Sequence, residues 1–192
     1  QMSLTGIIRN AFIPRQHKLE RHFTEPEALQ HDVLQHLLHT AAGTEYGRNH
    51  LFGNTRSYDD FVRNVPVNTY EELKGDIDRM RHGEADVLWP RQVQWYAKSS
   101  GTTNDKSKFI PVSAEGLHDI HYQGGKDVVT FYLRNNPNSR LFDGKSLILG
   151  GSHSPNYNVD GSLVGDLSAI LIENIKGFTQ ADVDWYEHQA RI

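Results

Sequence analysis

Cysteine is absent from the 192 residues. Its absence excludes a disulfide framework, a thiolate zinc site, an iron–sulfur cluster and a cysteine nucleophile within this chain. It also fits a reducing compartment. No apolar run approaches the roughly 20 residues that cross a bilayer, so no membrane span is expected. Near the start, the apolar stretch from Leu4 to Ile8 is broken by Arg9 and Asn10, unlike a signal peptide. Charge of one sign is lacking too: 20 Lys and Arg face 24 Asp and Glu, for a net charge of -4. With an isoelectric point near 6.3 there is no overall basic field for nucleic acid. The expected setting is cytoplasmic, with no nucleic-acid or membrane partner.

What is present is an ordinary globular composition. Hydrophobic residues make up 37%, aromatic residues 10%, and mean hydropathy is -0.61. The aromatic share argues against disorder, and the length suffices for a sizeable core.

The first half reads as helical. Thr24 and Glu27 have capping-box spacing, and Leu29, Val33, Leu34, Leu37, Leu38 and Ala41 then fall on one helical face. A short helix is expected to start at Ser57 with Asp60 three residues on. Thr69 and Glu72 repeat the box ahead of a stripe of Tyr70, Leu73, Ile77 and Met80, which Gly83 ends. The pattern changes near Trp89-Pro90, which divides a mainly helical subdomain, 1–90, from an α/β portion, 91–192. Val93, Trp95 and Ala97 alternate with Gln94, Tyr96 and Lys98, a strand pattern with Tyr96 on the second face. Lys108 to Val112 reads as the returning strand of a hairpin, which Pro111 confines to an edge or an end. Ser113 can cap a helix carrying Leu117, Ile120, Val128, Val129 and Tyr132. Asp143-Gly144 is a turn, Lys145 to Gly151 a buried strand, and 151–162 a loop. Asp166 precedes a helix with Leu167, Ile170 and Leu171, and Thr179 and Asp182 open a last one.

The chemistry concentrates between the two hairpin strands, in Lys98-Ser99-Ser100-Gly101-Thr102-Thr103-Asn104-Asp105-Lys106-Ser107-Lys108. Hydroxyls, a glycine that lets backbone N–H groups come close, and mobile lysine charge together suit a polyphosphate. A Walker A loop is excluded, because Asp105 rather than glycine precedes Lys106-Ser107. The competing reading is a plain hydrophilic hairpin loop. Of the two lysines, Lys106 is expected to contribute charge to the reaction, since Lys108 borders the apolar Phe109-Ile110 pair.

The eleven histidines form no HExxH motif, so no metal-ligating residue is expected. His31, His36, His39, His118 and His121 read as surface groups. His153 is weighed between a surface loop and a substrate cleft. Trp95 and Tyr96 read as core and strand packing, and Asp166 as a helix cap.

The loop and its flanks resemble the GH3 acyl acid–amido synthetases, adenylate-forming enzymes of the ANL superfamily. The resemblance rests on Tyr70-Glu71-Glu72-Leu73 through Arg79, Gly83-Glu84, Val87-Leu88-Trp89-Pro90, and Ser99-Ser100-Gly101-Thr102-Thr103. It continues in Lys106 to Pro111, Gly150-Gly151-Ser152 and Gly165 to Ala169, so that it covers roughly residues 25–175. It implies an α/β fold: the N-terminal part of an ANL-like adenylation domain, with a strand–phosphate loop–strand finger. It implies ATP and Mg²⁺ as cofactors, a carboxylic acid and an amino acid as substrates, and acyl-adenylate formation followed by amide transfer. Ser99, Ser100, Gly101, Thr102 and Thr103 then hold the ATP phosphates; the resemblance leaves either Lys106 or Lys108 to match the superfamily's loop lysine, and Lys106 is expected as the catalytic one from its position. Asn104-Asp105 depart from the glycine that often follows the two threonines in the superfamily. Family enzymes are roughly three times longer, so an N-terminal fragment, of bacterial type, inactive alone and prone to self-association, is expected. Two alternatives stand beside the ligase: a non-catalytic ANL-like binding module or truncated product, and an enzyme resembling acyl-CoA ligases.

Overall fold

A computed structural model describes residues 3–99, 108–144, 156–157 and 162–178. The chain forms two compact units, each built from two stretches: Gln1–Val67 with His118–Ile148, and Asn68–Leu117 with Leu149–Ile192. Trp89-Pro90, the expected boundary, therefore lies inside the second unit. The chain passes out of the first unit after the short helices, and returns to it through the helix after the hairpin.

The first unit is helical: α1 (Leu4–Thr24), α2 (Pro26–Ala41), α3 (Glu45–Asn49), a 3₁₀ turn (Phe52–Asn54), α4 (Tyr58–Asn64) and α6 (Gln123–Asn135). α1 carries Pro14 in its interior, which is why propensity does not announce it. Its start is tied down by Asp143, which accepts the Thr5 N–H at 3.0 Å and the Thr5 hydroxyl at 2.8 Å. These bonds hold the Asp143 carboxyl below the usual carboxylate range. Arg15 on α1 forks onto Asp127 on α6 with two bonds of 2.6 Å. That fork lowers the Asp127 carboxyl and raises the Arg15 guanidinium.

The expected box at Thr24 does not form. Thr24 is the last residue of α1, its hydroxyl donates back to the Glu20 carbonyl, and α2 begins at Pro26 with Glu25 as its N-cap. Proline fits the first helical position, where its missing N–H costs nothing. The box at Ser57 does form, with Asp60 accepting the Ser57 N–H at 3.1 Å and Ser57 Oγ accepting the Asp60 N–H at 3.1 Å. Of the α2 stripe, Leu38 and Ala41 are buried while Val33 and Leu37 are exposed. Leu29, Val33, Leu34 and Leu37 instead line a groove of about 640 Å³ with Tyr58 and Phe61.

Ser113 caps its helix as expected: Ser113 Oγ accepts the Gly116 N–H at 2.9 Å. The helix runs as a π-helical stretch (Gly116–Tyr122) before α6. The wider i→i+5 turn rotates everything after it. Ile120, Val128 and Tyr132, expected on the apolar face, are exposed, and Thr130 and Leu133 are buried in their place.

The second unit packs α5 (Tyr70–Arg81) and α7 (Leu167–Phe178) with a four-stranded sheet of β1 (Trp95–Lys98), β2 (Phe109–Val112), β3 (Asn156–Tyr157) and β4 (Leu163–Gly165). Strand order is β2-β1-β4-β3, with β1 parallel to β4 and antiparallel to β2. Among the described residues β2 lies at the edge of the sheet, where Pro111 withholds no bond from a described strand. The expected α5 stripe holds: Ile77 and Met80 are buried, and Tyr70 and Leu73 pack against them. Gly83, at φ 89°, turns the chain after the helix.

Tyr96 packs in the core as expected, wholly buried in one cluster with Ile77, Met80, Val87, Val93 and Val164, although the alternation in β1 places it on the face with Gln94 and Lys98. Ala97 on the other face is buried too. β1 is an inner strand, and a strand covered on both faces loses its polar side. β3 falls inside the loop expected over 151–162, and β4 follows directly after it, held by the Leu163 N–H donating to the Gln94 carbonyl at 2.8 Å and Ser162 Oγ donating to the Arg81 carbonyl at 2.7 Å. Ile170 and Ala169 of α7 are buried, and the Ile170 N–H reaches the Asp166 carbonyl at 3.0 Å, as a helix starting there requires. The strand expected over 145–151 and the helix expected from Thr179 lie outside the described residues.

Candidate functional site

The hydroxyl-, glycine- and lysine-bearing segment leaves β1 at Ser99 and re-enters the sheet through Lys108. These two residues close on each other. The Ser99 N–H donates to the Lys108 carbonyl at 2.9 Å, and the Lys108 N–H donates to Ser99 Oγ at 3.1 Å. The antiparallel β1–β2 ladder thus continues one step past Lys98↔Phe109 and ends in a side-chain bond. Ser99 Oγ accepts one bond in this closure. Ser100, Gly101, Thr102, Thr103 and Lys106 lie outside the described residues, as does His153.

Helix α5 supports the returning limb of the hairpin. The Tyr70 hydroxyl accepts the Phe109 N–H at 3.0 Å, across 39 residues of sequence. The Lys108 ammonium lies 5.6 Å from the Tyr70 ring centroid, at the outer range of a cation–π contact. The Arg81 guanidinium lies 3.6 Å over the Phe109 ring, and Arg81 Nη1 reaches Asp78 Oδ1 at 3.1 Å. Both ends of one helix therefore bear on β2. The sequence presents Tyr70 only as one member of an apolar stripe; nothing in its local pattern announces a hydroxyl acceptor for a strand.

Tyr96 sits immediately before the closure. Burial pushes its phenol up to about 12, while the positive charge of Arg81 acts in the opposite sense. Its hydroxyl has no hydrogen-bond partner among the described residues. Trp95, half-buried, lines a separate hollow of about 290 Å³ together with Trp89, Gln94, Glu115 and Asn174. There the Glu115 carboxylate is occupied by Trp89 Nε1 at 3.1 Å and by Arg91.

His31, His36, His39, His118 and His121 are exposed, as expected. Among the described residues no group of three or more His, Cys, Asp or Glu could hold a metal ion. Among them, too, no helix is long and apolar enough to cross a membrane.

Comparison with known proteins gives this geometry its setting. Residues 15–189 match the GH3 family N-terminal domain. The chain is 31% identical over 159 residues to an indole-3-acetic acid-amido synthetase, GH3.15, of Arabidopsis thaliana, covering 82% of this chain and 26% of that enzyme. It is 36% identical over 101 residues to the Arabidopsis synthetase GH3.17, covering 52% of this chain and 17% of that enzyme. A solved structure of the GH3.15 acyl acid amido synthetase in complex with 2,4-DB superposes with a TM-score of 0.69 at 29% identity, over 79% of this chain and 26% of that one. The mixed α/β fold, helix-rich with a small sheet, is similar to the corresponding part of the GH3.15 synthetase. The chain thus spans about a quarter of the length of the GH3.15 synthetase. These relatives are plant enzymes and lend no support to the expected bacterial type. The match across residues 15–189 decides the family: the chain belongs to the GH3 family, through its N-terminal domain.

Proposed function

We propose that this chain is the N-terminal part of an ATP-dependent acyl acid–amido synthetase, and that the segment closed by Ser99 and Lys108 holds the nucleotide phosphates. The observation that carries the reading is the closure itself. A phosphate-gripping loop must project from a fixed root, and here each end of the segment is bonded to the other and the returning limb is bonded to a helix.

In the proposed reaction a carboxylate attacks the α-phosphate of ATP, and pyrophosphate leaves. An amino acid amine then attacks the acyl-adenylate carbonyl and releases AMP. Two anions must be joined, so the protein's task is positioning and charge neutralisation rather than nucleophilic work by a side chain. Backbone N–H groups at Gly101 and the hydroxyls of Ser99, Ser100, Thr102 and Thr103 donate to phosphate oxygens. The donor set is neutral and oxygen-seeking, which suits a phosphate chain whose excess charge Mg²⁺ shares. Lys106 supplies the mobile positive charge, while Lys108 is drawn toward the Tyr70 ring. The cytoplasmic setting belongs to the same proposal, as do a carboxylic acid and an amino acid as substrates.

Gly101→Val in the full-length protein is the test. A branched Cβ at that position blocks close backbone approach and restricts φ. ATP affinity is expected to fall at least about tenfold, the scale of one charge-assisted hydrogen bond. Unchanged ATP affinity in a folded variant would remove the phosphate-loop reading.

A further inference from the structure

Tyr70 is the first residue of α5 and is held from the helix side before it touches the hairpin. The Thr69 N–H and the Thr69 hydroxyl both donate to Glu72 Oε2, at 2.6 and 2.7 Å, which fixes the first turn. Its ring packs on the core cluster of Met80 and Tyr96. From this anchored position its hydroxyl takes the Phe109 N–H, on the edge strand of the described sheet. An edge strand presents its outward N–H groups to no neighbouring strand. Here a phenol on a helix replaces that neighbour at the residue directly after Lys108, and the same ring faces the Lys108 ammonium. One side chain thus sets the backbone of the returning limb and the placement of the nearest described charge.

We propose that Tyr70 is a positioning residue for nucleotide binding: by its hydroxyl and its ring it fixes Phe109 and Lys108, the root on the returning side of the proposed phosphate loop. This rests on the phosphate-loop reading above. Tyr70 touches no substrate; it acts through the limb it holds. Its loss should therefore fall on the nucleotide and spare the acid and the amine.

The experiment is a set of kinetic measurements on the full-length protein. Tyr70→Phe keeps the ring and removes the acceptor, and Tyr70→Leu removes both. KM for MgATP is expected to rise about tenfold in Tyr70→Phe, the cost of orphaning one partly buried N–H, and further in Tyr70→Leu. KM for the acid and for the amino acid should stay within about twofold, a split that a merely loosened fold does not produce. An unchanged KM for MgATP, or a parallel rise in all three constants, overturns the proposal. Gly101→Val measured alongside separates the two ideas. If it destroys ATP binding while Tyr70→Phe does not, the role of Tyr70 falls and the loop's role stands. If neither variant affects ATP, both fall. Should Tyr70→Phe not fold, hydrogen exchange in the unsubstituted protein decides. MgATP is expected to slow exchange of the Phe109 amide at least about threefold, and an unchanged rate overturns the proposal.

Discussion

Tyr96 is the residue where burial and chemistry conflict most openly. Its side chain is fully buried among aliphatic neighbours, and its hydroxyl has no partner among the described residues. A buried hydroxyl that makes no bond has lost its water for nothing, at about 1–3 kcal/mol. Tyr96→Phe, which keeps the ring and deletes the oxygen, is therefore expected to leave the unfolding free energy unchanged or raise it by about 1 kcal/mol. Chemical denaturation of the two proteins measures the difference. A loss of more than about 1 kcal/mol would show that the hydroxyl is hydrogen-bonded after all. Tyr70 is the counter-case: its hydroxyl is engaged by the Phe109 N–H, so the same Tyr-to-Phe change is expected to do harm there.

Two helical glycines show how an element's setting reverses the sign of one substitution. Gly47 lies in the short helix α3, capped by Thr44, whose Oγ1 accepts the Gly47 N–H at 2.9 Å and donates to the Ala41 carbonyl at 2.7 Å. This corner folds the chain back so tightly that a Cβ on Gly47 would stand 2.0 Å from the Ala41 carbonyl oxygen. Gly75 lies in the middle of α5, is exposed, and a Cβ there would meet nothing within 4 Å. Gly47→Ala is expected to destabilise by about 1–3 kcal/mol as the corner is forced open. Gly75→Ala is expected to stabilise by up to about 1 kcal/mol, through helix propensity alone. Thermal unfolding of the two variants should move in opposite directions; equal shifts of one sign would contradict the description of the α2–α3 corner.

At the scale of the whole molecule, the chain covers about a quarter of the GH3.15 synthetase it matches. If the segment between Ser99 and Lys108 holds phosphates as proposed, three charge-assisted bonds from it would contribute roughly 1.5–3 kcal/mol each, and ordering it would cost on the order of 1–2 kcal/mol per residue. The two nearly cancel. The 192 residues alone are thus expected to bind MgATP at about millimolar or weaker, and to release no pyrophosphate in the presence of an acid. The exposed apolar side chains Val33 and Leu37, beside the groove on α2, should also make the isolated chain self-associate as its concentration rises. Titration calorimetry, a pyrophosphate-release assay and sedimentation check the three outcomes. Micromolar ATP binding or acid-dependent pyrophosphate release would mean that the site is complete within these residues.

Local chemistry settled the pieces that short-range bonds build. The Ser57–Asp60 and Thr69–Glu72 boxes, the α5 stripe, the Ser113 cap and the Pro111 edge strand all follow from neighbours within a few positions, because caps, turns and amphipathic faces draw on no distant partner. Long-range packing settled the rest. Tyr96 is buried because Ile77 and Met80 of α5 lie against its face of the sheet, which no alternation within the strand reveals. Ile120 is exposed within a π-helical stretch, and Val128 and Tyr132 are exposed because that stretch turns the helix before they are reached. α1 persists across Pro14 beside Asp127 and Asp143, more than a hundred residues away. Tyr70 became part of the site only when folding brought its hydroxyl to Phe109. A hydrogen bond between residues 39 positions apart leaves no mark in the order of amino acids around either partner.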